Sequence, residues 1–218
     1  MARLGLQHRR AMRAAVLLAC ALALTGCKIV TIEQDQAIRA KRSLNFNADT
    51  YVARIWRSQA LPAFQARAVP AKDLFAAIDA DADTAGAKLG RRSGEGAAWT
   101  FVVSGEGVVD AVDDSSRRRT IEVKLDGARP VKLQTGPVVV GTSLRDALPF
   151  IAFDDFTDQL AFADVGRALT KTSLSNLKPT LDGLKPGDRV RVVGAFDLPP
   201  KGQPVFVTPI SVDKVAAS

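Results

Sequence analysis

Two short stretches of this chain concentrate side chains able to bind ligands or move protons. They are Gly141-Thr142-Ser143-Leu144-Arg145-Asp146 and Phe153-Asp154-Asp155-Phe156, the latter followed by Gln159. Arg145 offers a planar fork for a carboxylate or phosphate. Asp154 and Asp155 can accept sugar hydroxyls or bind a cation. Both stretches sit where helices are expected to start, and free main-chain amides there favour an anion. The same groups can equally cap helices and pair within the fold. The candidate ligand-binding residues are therefore Thr142, Arg145, Asp146, Asp154, Asp155 and Gln159. Glycoside hydrolysis needs two facing carboxyl groups about 5–10 Å apart. Adjacent Asp154 and Asp155 tend to point apart, so that chemistry needs Asp146 or Asp158 brought close by the fold.

A third reactive residue is Cys27. Arg3, Arg9, Arg10 and Arg13 precede an uncharged apolar run from Ala14 to Leu24, and Leu24-Thr25-Gly26-Cys27 closes it. The run is shorter than the roughly 20 residues needed to span a bilayer, and the pattern is that of a lipoprotein leader. Residues 1–26 are expected to be cleaved, leaving Cys27 acylated on sulfur as the new N-terminus. Lys28 follows Cys27, where an Asp would favour inner-membrane retention, so the outer membrane is slightly favoured. The expected address is the periplasmic side of a bacterial membrane.

Cleavage changes the chemistry available. It removes four of the 30 basic residues and none of the 23 acidic ones, lowering the net charge from +7 to +3. A nucleic-acid partner loses its main electrostatic support. The sole histidine, His8, goes with the leader, as does Cys20; Cys27 is consumed by the lipid. The remaining body can build no Ser-His or Cys-His nucleophile and no His- or Cys-liganded zinc site. No cofactor and no metal is assigned, and the protein is expected not to be an enzyme.

Other motifs carry less. Asp79-x-Asp81-x-Asp83 has Thr84 and Gly90 where a calcium loop needs Gly and Glu, so an exposed acidic helix end is expected. Gly105-x-Gly107 lacks the third glycine of a nucleotide fingerprint. Arg117-Arg118-Arg119 is a basic run suited to phosphate, a lipid headgroup or an acidic partner, although a solvated hairpin edge is the commoner use.

The elements that position these residues follow from periodicity. A polar tether runs from Lys28 to about Asn47. Asn47 or Asp49 caps a helix carrying Tyr51, Val52, Ile55 and Trp56, and Leu61-Pro62 ends it. A second helix starts near Pro70 with Leu74, Phe75 and Ile78 on one face, and residues 86–96 read as a glycine-rich connector. Strands follow over Trp99–Val109 with a bend at Gly105–Gly107, over Thr120–Leu125, and from Val131 with resumption at Val138–Val140. Ser143 with Asp146 has capping-box spacing, and Asp154 or Asp155 caps a helix to about Leu169. Val190–Phe196 and Val205–Val215 close the order as a hairpin. Three meandering strands, a helix and a hairpin match an α+β fold with a five-stranded OB-like antiparallel barrel. An open antiparallel sheet with helices on one face is the competing architecture. The expected organisation is 1–26 leader, 27–96 tether and helical region, and 97–218 OB-like domain.

The chain resembles domain-of-unknown-function family 2291, predicted periplasmic lipoproteins. The resemblance rests on Gly136-Pro137, Gly141-Thr142-Ser143-Leu144-Arg145-Asp146-Ala147 and Phe153-Asp154-Asp155-Phe156-x-x-Gln159, together with the leader box and Gly105-Glu106-Gly107. Asp158 stands where the family usually has Asn. The resemblance implies an anchored periplasmic protein, often encoded beside sugar ABC-transporter components, with no assigned catalytic residue. The expected function is a non-enzymatic accessory that binds a small ligand, a transporter subunit or a solute-binding subunit. An envelope enzyme acting on glycans through carboxylates and a structural envelope protein are the alternatives.

Overall fold

A 14-residue strand, β2 (Thr100–Asp113), organises the sheet. The computed structural model describes residues 46–156 and 158–215. The leader, Cys27 and the tether to residue 45 lie outside the described residues. β2 pairs antiparallel with β5 (Arg189–Asp197) through Thr100–Val108, and with β3 (Thr120–Leu125) through Gly107–Asp113. The strand changes partners at Gly107, where a Cβ would overlap the Lys124 carbonyl oxygen. Glycine is needed there because two backbones approach closely. The register irregularity lies just beyond the glycine pair, between Val109 and Ala111.

β3 pairs antiparallel with β4 (Pro130–Gln134), β4 runs parallel to β6 (Phe206–Lys214), and β6 is antiparallel to β5. The pairings therefore run β2-β3-β4-β6-β5 and return to β2. A sixth strand, β1 (Val69–Pro70), adds parallel to β2. The sheet has six strands, one more than expected, because a two-residue strand between helices carries no alternation to read. Val138–Val140 does not resume the third strand. The fold is mixed α+β.

The helices are α1 (Ala48–Ile55), α2 (Leu61–Arg67), α3 (Ala71–Ala80), α4 (Ala82–Leu89), α5 (Ser143–Asp146) and α6 (Gln159–Asp182). Asn47 caps α1 by accepting from the Thr50 N–H at 2.8 Å. Pro62 does not end this region. A π-helical turn, Trp56–Ala60, leads without a break into α2, and Pro62, just after it at the start of α2, is accommodated by the wider turn. Residues 86–89, expected as connector, belong to α4, whose cap Asp81 accepts from the Thr84 N–H at 2.6 Å. Gly86 is there because the Trp99 ring occupies the space a Cβ would need.

α6 runs 24 residues rather than stopping near Leu169, and Asp158, not Asp154 or Asp155, is its N-cap. Its second half is rich in Ser and Thr, which weakens the local helix signal. Tertiary contact compensates: Ser173, fully buried, donates to the Pro209 carbonyl at 2.5 Å. Two hydrophobic cores result. One holds Leu74, Phe75, Phe101, Val103, Val123, Leu133 and Phe196. The other packs Val52, Trp56 and Phe64 against Leu144, Leu148, Val165 and Leu169. Val102 enters the second core and its neighbours the first, so this part of β2 is buried on both faces. Among the described residues, no helix is long and apolar enough to cross a membrane.

Candidate functional site

The Gly141–Asp146 stretch folds into a closed polar network. Arg145 is 8% exposed and Asp146 7%. Arg145 Nε donates to Asp146 Oδ1 at 2.8 Å, and Nη2 lies 2.7 Å from the same oxygen. Nη2 also donates to the Thr142 hydroxyl at 3.0 Å, and that hydroxyl donates to Asp146 Oδ2 at 2.6 Å. The guanidinium lies 3.7 Å over the Phe162 ring. Ser143 is inside the helix and buried, donating to the Ala195 carbonyl at 3.1 Å; Thr142 takes the position before it.

A second carboxylate adjoins this network. Asp197 accepts from the Thr100 hydroxyl at 2.6 Å and from the Thr142 main-chain N–H. Burial pushes the Asp197 carboxyl above its ordinary value, and the nearby Asp146 adds to the effect. A Cβ at Gly141, whose φ is +92°, would lie 2.9 Å from Asp197 Oδ2. Both the left-handed backbone and the close approach require glycine there.

The second stretch is built differently. Phe153–Asp155 is a 3₁₀ turn, and Asp154, Asp155 and Gln159 are exposed. Asp155 Oδ2 accepts from the Ala152 N–H at 2.9 Å. The phenylalanines dock the turn: Phe153 and Phe156 both pack on Phe162, and Phe156 meets Phe46 and Tyr51 edge-on. Phe162 thus joins the two stretches, touching both the Phe153–Phe156 turn and Arg145.

A concave feature lies beside this network. A groove of about 1080 Å³ is walled by α6, by the start of α1 and by the β4–α5 loop. Phe46, Pro137, Val138, Val139, Leu174 and Leu181 give it apolar surface, and Thr142 reaches it from the network. Arg145, Asp146, Asp154, Asp155 and Gln159 do not line it. Its charges come from residues the sequence pattern did not single out, apart from Arg119 in the basic run and Asp49, named as a helix cap. Lys171 pairs with Asp49 at 3.0 Å, Lys178 with Asp182 at 2.6 Å, Arg167 with Asp164, and Arg119 with Asp114 at 2.6 Å. These pairs are solvent-exposed, so each contributes little and can exchange for an incoming partner at small cost.

The face that OB folds commonly use for ligands, around strands two and three, is self-neutralised. Lys124 pairs with Asp110 at 2.6 Å and Lys132 with Glu122 at 3.6 Å. Asp79, Asp81 and Asp83 are also taken up internally, by Arg129, the α4 amides, and Arg92 with Trp99. Among the described residues no His, Cys, Asp or Glu cluster is arranged to hold a metal.

Residues 17–213 match a family described as predicted periplasmic lipoprotein (DUF2291). The fold is similar to the crystal structure of an OB-fold protein from Thermotoga maritima, at 18% identity and a TM-score of 0.63, covering 78% of this chain and 99% of that one. A more distant likeness is to the OBody AM1L10 bound to hen egg-white lysozyme, at 15% identity and a TM-score of 0.31, covering 56% of this chain and 83% of that one. The first likeness concerns fold alone. No curated protein matches the chain.

Proposed function

The chain belongs to the DUF2291 family of predicted periplasmic lipoproteins, and from that premise we propose a non-enzymatic accessory protein of sugar ABC transport, anchored through acylated Cys27. The groove along α6 is its partner site. The observation carrying this reading is the groove itself: large, mixed apolar and charged, and opening at Phe46, where the described chain begins. In this reading the β-strand circuit is an OB-like barrel that acts as scaffold. Thr142 presents its wall, Arg145 and Asp146 hold Thr142 in place, and Asp154, Asp155 and Gln159 form a separate exposed polar rim.

Lys28 after Cys27 favours the outer membrane, so the partner within reach is a soluble solute-binding subunit rather than the permease. The carboxylate-enzyme alternative needs Asp146 or Asp158 as a second acid; the burial of Asp146 against Arg145 and the capping bond that Asp158 accepts from the Ala161 N–H weigh against those roles. Purified full-length lipoprotein, titrated with the purified solute-binding subunits of its own organism, tests the proposal. Binding that is lost on Lys171→Glu with Lys178→Glu is expected. No binding by any subunit, and no thermal shift with a sugar panel, overturns it.

A further inference from the structure

Two loops meet beside the groove and form a single tip. The β2–β3 loop carries Arg117 and Arg118, and the β4–α5 loop carries Pro137 to Val140. They run side by side: the Gly136 N–H donates to the Arg118 carbonyl at 3.1 Å and the Val138 N–H to the Arg117 carbonyl at 3.3 Å. Gly136 permits this, since a Cβ there would overlap both carbonyl oxygens. The far end is pinned by Gln134, 1% exposed, which accepts from the Val140 N–H at 2.9 Å and donates to its carbonyl at 3.1 Å. The exposed shape of the loop is therefore built in.

What it exposes is apolar and cationic together. Val138 is 41% exposed and Val140 52%, and Pro137 is also exposed. Arg117 and Arg118 are exposed and make no ion pair among the described residues, whereas adjacent Arg119 pairs with Asp114 and Asp182. Apolar side chains beside unpaired cations suit the boundary between acyl chains and anionic headgroups. Phe46, at the end of the tether from Cys27, lines the same groove as Pro137 and Val138.

We propose that this tip rests on the membrane: Arg117 and Arg118 meet anionic phospholipid headgroups, and Val138 and Val140 enter the interface. Together with the anchor, the contact would fix the orientation of the groove over the surface. The inference rests on the reading of Cys27 as the anchor only for its placement, and the test omits the anchor. Residues 28–218, which contain both hydrophobic cores, are prepared without acylation and sedimented with phosphatidylglycerol–phosphatidylethanolamine vesicles. Vesicles of phosphatidylcholine alone serve as comparison.

Binding selective for the anionic vesicles and weakened by salt is expected. Arg117→Glu with Arg118→Glu should weaken it at least about tenfold. Val138→Ser with Val140→Ser should weaken it without altering the thermal transition, and a Val138→Trp reporter should shift its emission to the blue on those vesicles. Absence of binding, or binding unchanged by the arginine and valine variants, overturns the proposal. So does a dimer in solution that the valine variant dissociates, which would make the tip a self-association surface. Failure of acyl labelling of the full chain would instead remove the anchor reading while leaving the vesicle result standing.

Discussion

Arg145 and Asp146, neighbours in sequence, are locked to each other at 2.7–2.8 Å with less than a tenth of either residue exposed. Removing one partner of such a pair leaves an uncompensated buried charge, which typically costs about 3–5 kcal/mol. Asp146→Ala should therefore destabilise by about that amount in urea unfolding. Asp154→Ala, at an exposed position, should stay within about 0.5 kcal/mol. Equal effects would mean that Asp146 is not the internal partner of Arg145.

Asp197 gives a pH dependence of unusual sign. Its folded-state pKa is raised, mainly by burial, so the native state holds the proton more tightly than the unfolded chain. Its contribution is full below the ordinary value of about 3.9 and is lost as pH rises through the folded-state value. Exposed Asp79 and Asp182 and half-buried Asp188 are held below the ordinary range by hydrogen bonds from Arg129, Lys178 and Lys214, and they act oppositely, losing stability in acid. Asp197→Asn can keep its oxygen on the Thr142 N–H and donate to Thr100. Denaturation from pH 4 to 7 should show the variant gaining on the parent as pH rises; a constant difference would contradict this.

The Gln134 amide substitutes for a missing backbone partner on the Val140 peptide. Gln134→Ala should cost about 1–3 kcal/mol. It should also accelerate amide exchange at Val140, whose N–H loses its acceptor. Unchanged exchange at Val140 would show that the loop holds its shape without the side chain.

The two glycines of β2 should behave differently. At Gly107 a methyl group meets the β3 backbone, and Gly107→Ala should cost about 1–3 kcal/mol or more. At Gly105 a Cβ would find Ala71 at 3.4 Å, an ordinary contact, so Gly105→Ala should be near neutral or slightly stabilising. Thermal melts of the two variants distinguish them directly.

The sequence was most legible where local pattern and tertiary environment agree. The alternation of Ile121, Val123 and Leu125, the hairpin of β5 and β6, and the Asn47 cap all appear as read. Legibility failed where tertiary contact overrides local chemistry. Ser173 buries its hydroxyl on Pro209 and carries α6 past a Ser/Thr-rich stretch; the π turn at Trp56–Ala60 accommodates Pro62; Gly86 sits in a helix because of Trp99. The truncated reading of α6 hid the groove, since Lys171, Leu174 and Lys178 lie in its unread half. The chemically dense Thr142–Asp146 stretch was visible, but its spacing could not tell a closed network from an open site.

The proposed meeting of the groove along α6 with a transporter subunit can be captured covalently. A photo-cross-linking residue at Ser175, which is exposed within the groove, tests it most directly in cells. The same group at Lys88, exposed on α4 and outside the groove, is the control. An adduct with a sugar solute-binding subunit, identified by mass spectrometry, is expected from position 175 and not from position 88. Equal adducts from both positions, or none from 175, would contradict the claim.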